Sequence, residues 1–243
     1  AGSKRGSMEQ ESVEKIAGSY DLLLSSGFLA FARHVGVLDA VERTGLSVEG
    51  LCGTSSGAMV AAMWAAGMSP DAIAEHCMAS RPLFSLRPNL RPWRGLCSTR
   101  AVIAEMRSLL PATFSELKIP LSLGVVGANG HRLLSEGPLP EAVVASCAMP
   151  YIFEPVQVSE QVYWDGGAVD RLGYKAYRAT RSGKACIVHQ VERSAGVDPE
   201  APEDAALLFS TPRSGANFFS LGDFQSQRRE AEEIALAALG SVR

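Results

Sequence analysis

The chain has 243 residues, 47% of them apolar and 20% charged, with a formal net charge of −3. That length supports one domain with a sizeable core, and the charge balance carries no footprint for a nucleic-acid partner. Five cysteines (Cys52, Cys77, Cys97, Cys147 and Cys186) stand at unpaired spacings without any C-x-x-C. This fits reduced thiols in a cytoplasmic protein and excludes both a disulfide framework and a clustered metal site, and no cofactor is expected.

Residues 1–7 read as an expression scar with Met8 the native start, and 1–19 as the lead-in to a single domain over 20–243. No signal peptide is visible, and the longest apolar run, 58–68, is too short to cross a bilayer. A strand is predicted over 20–25, then a helix over 30–43 with Val35, Leu38 and Val41 at helical spacing. A second strand over 48–52 runs into Gly53-Thr54-Ser55-Ser56-Gly57, a G-x-S-x-G followed by a small-residue helix ending at Gly67. Strand–turn–helix is the context that makes this motif chemical. The turn strains the central Ser55 and points its hydroxyl out at a helix N-terminus, while Gly53 and Gly57 remove Cβ atoms where strand and helix diverge.

Ser69-Pro70-Asp71 caps a helix over 69–80. From 81 to 100 come five arginines and three prolines interleaved with Phe84, Leu86, Leu90, Trp93 and Leu96. The prolines oppose a regular element. The segment reads as a connecting loop packed on the body, as a lid, or as a peripheral membrane contact through Arg87, Arg91, Trp93 and Arg94. A helix over 98–110 and a strand over 121–127 follow, with an Asn129-Gly130 hairpin returning through 131–134. Next come a helix over 139–147, stopped by Pro150, and a hairpin of 156–158 with 162–164 that delivers Asp165-Gly166-Gly167. A strand over 184–191 carries His189, a mobile loop spans 196–204, and a helix covers 223–239. That helix has Ile234, Leu236 and Leu239 inward, with Arg228, Arg229, Glu230, Glu232 and Glu233 outward.

A serine hydroxyl needs a base. The candidates are Asp165, leaving a strand into two glycines, and the histidines His34, His76, His131 and His189. The ordered set of motifs resembles the patatin-like phospholipase family. It comprises Gly53-Thr54-Ser55-Ser56-Gly57, Asp165-Gly166-Gly167, His34-Val35-Gly36-Val37-Leu38 and Ser146-Cys147-Ala148-Met149-Pro150. The resemblance is strong over 20–170 and weak beyond. It implies a three-layer α/β/α fold with a central, mostly parallel sheet. It also implies hydrolysis of lipid esters through an acyl-enzyme, with Ser55 as nucleophile and Asp165 as base without a histidine.

The chain departs from that family at the Gly-rich loop after the first strand, whose N–H groups form the oxyanion hole. Here it reads Ser26-Gly27-Phe28-Leu29-Ala30-Phe31, so only Gly27 falls at a glycine position. The basic residue falls on Ala30, with Arg33 close by. Oxyanion donors are expected from Ser26, Gly27 and Phe28. The Asn-containing segment usual after the D-G-G is also missing. Two other readings stay open: a triad of Ser55, Asp165 and His189, and a silent lipid-binding or regulatory module.

Overall fold

The computed structural model describes residues 18–79, 87–89, 95–193, 202–217 and 219–241. Arg91, Trp93, Arg94 and most of the 196–204 loop lie outside the described residues, and of Arg87 only the backbone is described.

The strands are β1 (Ser19–Leu24), β2 (Ser47–Thr54), β3 (Arg87–Pro88), β4 (Cys97–Ser98), β5 (Leu121–Gly127), β6 (Gly130–Leu134), β7 (Val156–Val158), β8 (Gln161–Asp165), β9 (Cys186–Val191) and β10 (Leu207–Thr211). The α-helices are α1 (Phe31–Thr44), α2 (Ser56–Ala65), α3 (Pro70–Ala79), α4 (Arg100–Leu109), α5 (Leu139–Cys147), α6 (Tyr174–Thr180) and α7 (Phe224–Leu239). The main sheet runs β10-β9-β1-β2-β5-β8-β7, with β6 also on β5. Its members from β10 to β5 pair in parallel, whereas β6, β7 and β8 pair antiparallel. Strands β3, β4 and β10 and helix α6 are additions to the sequence reading, and the antiparallel pair β3–β4 lies in the proline-containing stretch expected to hold no regular element. All are short, and a five-residue apolar run such as Leu207–Thr211 has too few periods to declare itself.

Alternation along the strands divides the core between the two faces of the sheet. Leu22, Leu24, Leu51 and Ile187 join the larger cluster with α1, α2, α3, α5 and α7. Leu23, Cys52 and Val188 join a smaller one with Tyr174 and Tyr177 of α6. Helices therefore cover both faces, which gives the mixed α/β architecture expected from the sequence.

Helix α1 carries Arg33 into the interior toward α7 and His34 toward β9 and α2, and α7 packs tightly along it. A Cβ on Gly36 would stand 2.1 Å from the Arg228 carbonyl and 2.9 Å from the Ala231 Cβ. The inward face of α7 is wider than expected, and Ile234, Leu236 and Leu239 all pack on the core. The buried stripe is Phe224, Gln227, Ala231, Ala235 and Leu239, with Ile234 and Leu236 half-buried. Arg228, expected outward, lies largely covered and grips Asp39 of α1 through two bonds of 2.6 Å. Gly36→Ala is expected to destabilise the fold by roughly 1–3 kcal/mol or more, because the Cβ meets backbone that cannot step aside. Urea unfolding measures this, and an unchanged midpoint would contradict the close crossing.

Candidate active site

Ser55 links β2 to α2 at φ 56 and ψ −122, a region that costs a side-chain-bearing residue on the order of 1–3 kcal/mol. The neighbours hold it there. The Ser55 N–H donates to the Ser146 hydroxyl at 3.0 Å, which donates to the Gly124 carbonyl at 2.7 Å. The Cys147 thiol donates to the Ser55 carbonyl at 3.1 Å. Burial, then the Asp165 charge, raises the Cys147 pKa, so this thiol stays protonated and can keep donating. Ser146 and Cys147 thus brace the elbow, a role that their S-C-A-x-P motif signalled by position but not by chemistry. The motif glycines are required by close approach. A Cβ on Gly53 would lie 2.7 Å from the Ala58 Cα, and one on Gly57 would lie 2.4 Å from the Leu24 carbonyl.

Strand register brings Asp165 to the same place. Thr54 pairs with Gly124, and Asp165 pairs with Val125, the next residue of β5. Strand β6 pairs with β5 from Leu123 to Gly127 and fills the opposite edge, so β2 and β8 end facing each other on one edge. The Asp165 N–H donates to the Ala148 carbonyl at 3.0 Å, and its Oδ1 accepts the Gly167 N–H at 2.7 Å. Asp165 is 4% exposed. Burial pushes its pKa up to about 6, while hydrogen bonds from the Ser55 hydroxyl and the Gly167 N–H pull the other way. Side chains at Gly166 or Gly167 would collide with Gly124 backbone or with Ser26. A buried carboxyl beside a strained hydroxyl, titrating near neutrality, is chemically able to take that hydroxyl's proton.

The histidines lie elsewhere in the hydrogen-bond network. His34 Nδ1 and His189 Nδ1 are 3.2 Å apart, His189 Nε2 meets the Thr211 hydroxyl at 2.8 Å, and His34 Nε2 meets the Ser56 hydroxyl at 3.2 Å. Both ring nitrogens of His189 are therefore engaged away from Ser55 and Asp165, which opposes the triad. Burial, then the Arg171 charge, depresses the His34 pKa to about 3, and burial holds that of His189 well below its ordinary value. Both rings are neutral, and one tautomer set satisfies these three contacts. The Ser56 hydroxyl donates to the Gly27 carbonyl at 2.8 Å. His34 then donates through Nε2 to Ser56, His189 donates through Nδ1 to His34, and Thr211 donates to His189. His76 faces Glu105 at 3.3 Å, and His131 sits on β6.

The loop after β1 corrects part of the expected oxyanion set. The Ser26 N–H donates to the Arg171 carbonyl at 2.8 Å, so it has no hydrogen left for a ligand. Gly27 keeps an N–H without a partner among the described residues, and its carbonyl is taken by Ser56. The Phe28 carbonyl accepts the Ser214 hydroxyl. Positive φ falls on Leu29, at 47, where no glycine stands. Arg33 does not replace the missing basic residue, because its guanidinium turns to Gln227 and Glu230 of α7. Arg171, which the sequence did not single out, reaches the loop instead through Ser26.

Two consequences are measurable. Ser55→Gly is expected to be more stable than Ser55→Ala by roughly 0.5–2 kcal/mol, because glycine relieves the positive φ by more than it loses in chain entropy. Equal denaturation midpoints would show that the elbow is unstrained. Asp165 has a folded pKa of about 6, above its ordinary 3.8. Its contribution to stability is therefore present below about pH 4 and lost as pH rises through 6. Asp165→Asn should gain stability over the native chain across that window, by on the order of 2–3 kcal/mol at pH 7. A stability difference independent of pH would contradict the shifted carboxyl.

Fold comparison finds VipD from Legionella pneumophila at a TM-score of 0.60 and 13% identity, over 93% of this chain and 68% of that one. The complex of full-length ExoU with SpcU from the Pseudomonas aeruginosa type III secretion system matches at 0.55 and 15% identity, over 94% and 53%. An uncharacterised NTE family protein of Mycobacterium tuberculosis is 28% identical over 155 residues, 62% of this chain and 43% of the relative. Another from the same species is 30% identical over 183 residues, 72% of this chain and 31% of the relative. The chain thus spans less than half the length of these curated relatives. The sequence model of the family described as patatin-like phospholipase matches residues 22–176, which include Ser55 and Asp165, and the chain belongs to that family.

Proposed function

We propose that the chain is a serine hydrolase of lipid esters working through a Ser55–Asp165 dyad. The observation that supports it most is the meeting of a strained Ser55 with a buried Asp165 whose pKa is about 6. Asp165 takes the hydroxyl proton as Ser55 Oγ attacks the ester carbonyl. Negative charge develops on the carbonyl oxygen, and the Gly27 N–H together with the Ser56 N–H at the head of α2 receives it. Protonated Asp165 returns the proton to the leaving alcohol, which leaves an acyl group on Ser55. Water then attacks, again giving its proton to Asp165, which returns it to Ser55 Oγ as the acid departs.

Exposed apolar side chains on the segments that follow Asp165 and Ala148 fit an acyl substrate better than a polar one. Val169, 64% exposed, stands four residues after Asp165, and Tyr151, 91% exposed, stands three after Ala148, which holds the Asp165 N–H. Leu96, 63% exposed, bonds through its N–H to the Tyr151 carbonyl. The loss of Ser26 as a donor supports a second reading, a slow or silent lipid-binding relative. Removal of one oxyanion donor costs on the order of 10²–10³ in rate.

The test is intact-mass analysis after a fluorophosphonate acyl-ester mimic. One adduct is expected on the native chain and none on Ser55→Ala, with labelling of Asp165→Asn slowed severely. The labelling rate should fall about tenfold per pH unit below about 6, as Asp165 takes up its proton. His189→Ala should still label. Removing the base of a triad would cost on the order of 10⁴-fold or more. A folded native chain that stays unlabelled overturns the hydrolase reading in favour of the silent relative.

A further inference from the structure

The donor role proposed for Gly27 needs something to aim its N–H, and the glycines that serve this purpose in the family are absent. We propose that Arg171 is a positioning residue for the oxyanion loop, holding it from behind in place of the glycine-rich chain. This rests on the hydrolase reading above.

Arg171 is only 9% exposed and sits six residues after Asp165. Its Nη2 donates to the Ser26 carbonyl at 2.7 Å and to the Val191 carbonyl at 2.6 Å, and its Nε donates to the Ser26 hydroxyl at 3.2 Å. Its own carbonyl accepts the Ser26 N–H at 2.8 Å. Ser26 is thus gripped at carbonyl, hydroxyl and N–H by one residue. The described peptides contain no cis bond, so the C=O of Ser26 and the N–H of Gly27 point in opposite directions across one rigid plane. Fixing the carbonyl on the guanidinium fixes the Gly27 N–H away from it. Bonds from a guanidinium are charge-assisted, and its planar fork holds several acceptors at set angles.

The next peptide is held in the same manner. The Gly27 carbonyl accepts the Ser56 hydroxyl at 2.8 Å, at the end of the one-way chain from Thr211 through His189 and His34. The loop is seated between the two halves of the dyad. A Cβ on Gly167 would come within 2.6 Å of the Ser26 hydroxyl oxygen, and one on Gly57 within 2.7 Å of the Ser25 carbonyl. Arg171 therefore joins the base-bearing loop to the donor-bearing loop, so that Gly27 keeps its direction without positive φ of its own.

The experiment compares native protein, Arg171→Met and Arg171→Lys on an activated short-chain ester and on its thiono analogue. Sulfur accepts hydrogen bonds poorly, so the oxo-to-thiono rate ratio reports the oxyanion contact rather than the dyad. For Arg171→Met, kcat on the oxo ester is expected to fall on the order of 10²-fold with KM unchanged, and the ratio should collapse. Arg171→Lys, which keeps charge and one donor group, should recover part of it. Oxo and thiono rates falling in proportion, or neither falling, would overturn the positioning role. Circular dichroism and thermal melting verify that the variants fold. Absence of Ser55 labelling on the native chain refutes the hydrolase reading itself. In that case amide hydrogen exchange over residues 25–29 still judges the clamp: faster exchange in folded Arg171→Lys is expected, and unchanged exchange overturns it.

Discussion

The site depends on one edge of β5. Its first half is taken in parallel by β2 and its second half antiparallel by β8, while β6 closes the other edge. Parallel and antiparallel neighbours laid end to end on one edge must meet C-terminus to C-terminus. The two residues that leave those ends are Ser55 and Asp165. No loop has to be long or flexible to bring them together, and hydrogen-bond register sets their separation.

That meeting point is expensive to occupy. Ser55 sits at a positive φ, and Asp165 has a carboxyl in an interior that opposes its charge. Both are tolerated because the surroundings over-determine them. The end of α5 braces Ser55 at N–H and carbonyl, the Ala148 carbonyl takes the Asp165 N–H, backbone packs where Gly53, Gly57 and Gly166 have no side chain, and the Ser26 side chain packs where Gly167 has none. A hydroxyl held next to a carboxyl that titrates near neutrality is what acyl transfer by two residues requires.

The loop after β1 departs from its family in residues, and it solves the same geometric problem from another side. Glycine-rich chains aim N–H groups through unusual φ values. Here the carbonyls are secured behind the loop, at Ser26 by Arg171 and at Gly27 by Ser56, and rigid peptide planes transmit the orientation forward. The bonding of the Ser26 N–H to Arg171 is the other side of that arrangement, since the grip uses a donor that would otherwise face a ligand.

Much of this was legible in the residues alone. The strand–turn–helix around Ser55, the hairpin delivering Asp165, the long helices and the family itself follow from local periodicity, turn chemistry and ordered motifs, all of which act over a few neighbours. Helix α6 and strand β10 were not legible, being too short for a period to show. The inward face of α7 kept its apolar residues and widened to take in Gln227 and the covered Arg228, which no apolar pattern announces. Arg171 rather than Arg33 reaches the loop, because α7 drew Arg33 away and the fold carried Arg171 145 residues back to Ser26. The sequence by itself determined which groups carry the proposed chemistry, Ser55 and Asp165, since their local turns encode them. Only the tertiary structure decided which N–H groups remain open and what aims them, because a hydrogen bond between distant segments leaves no trace in the spacing of either.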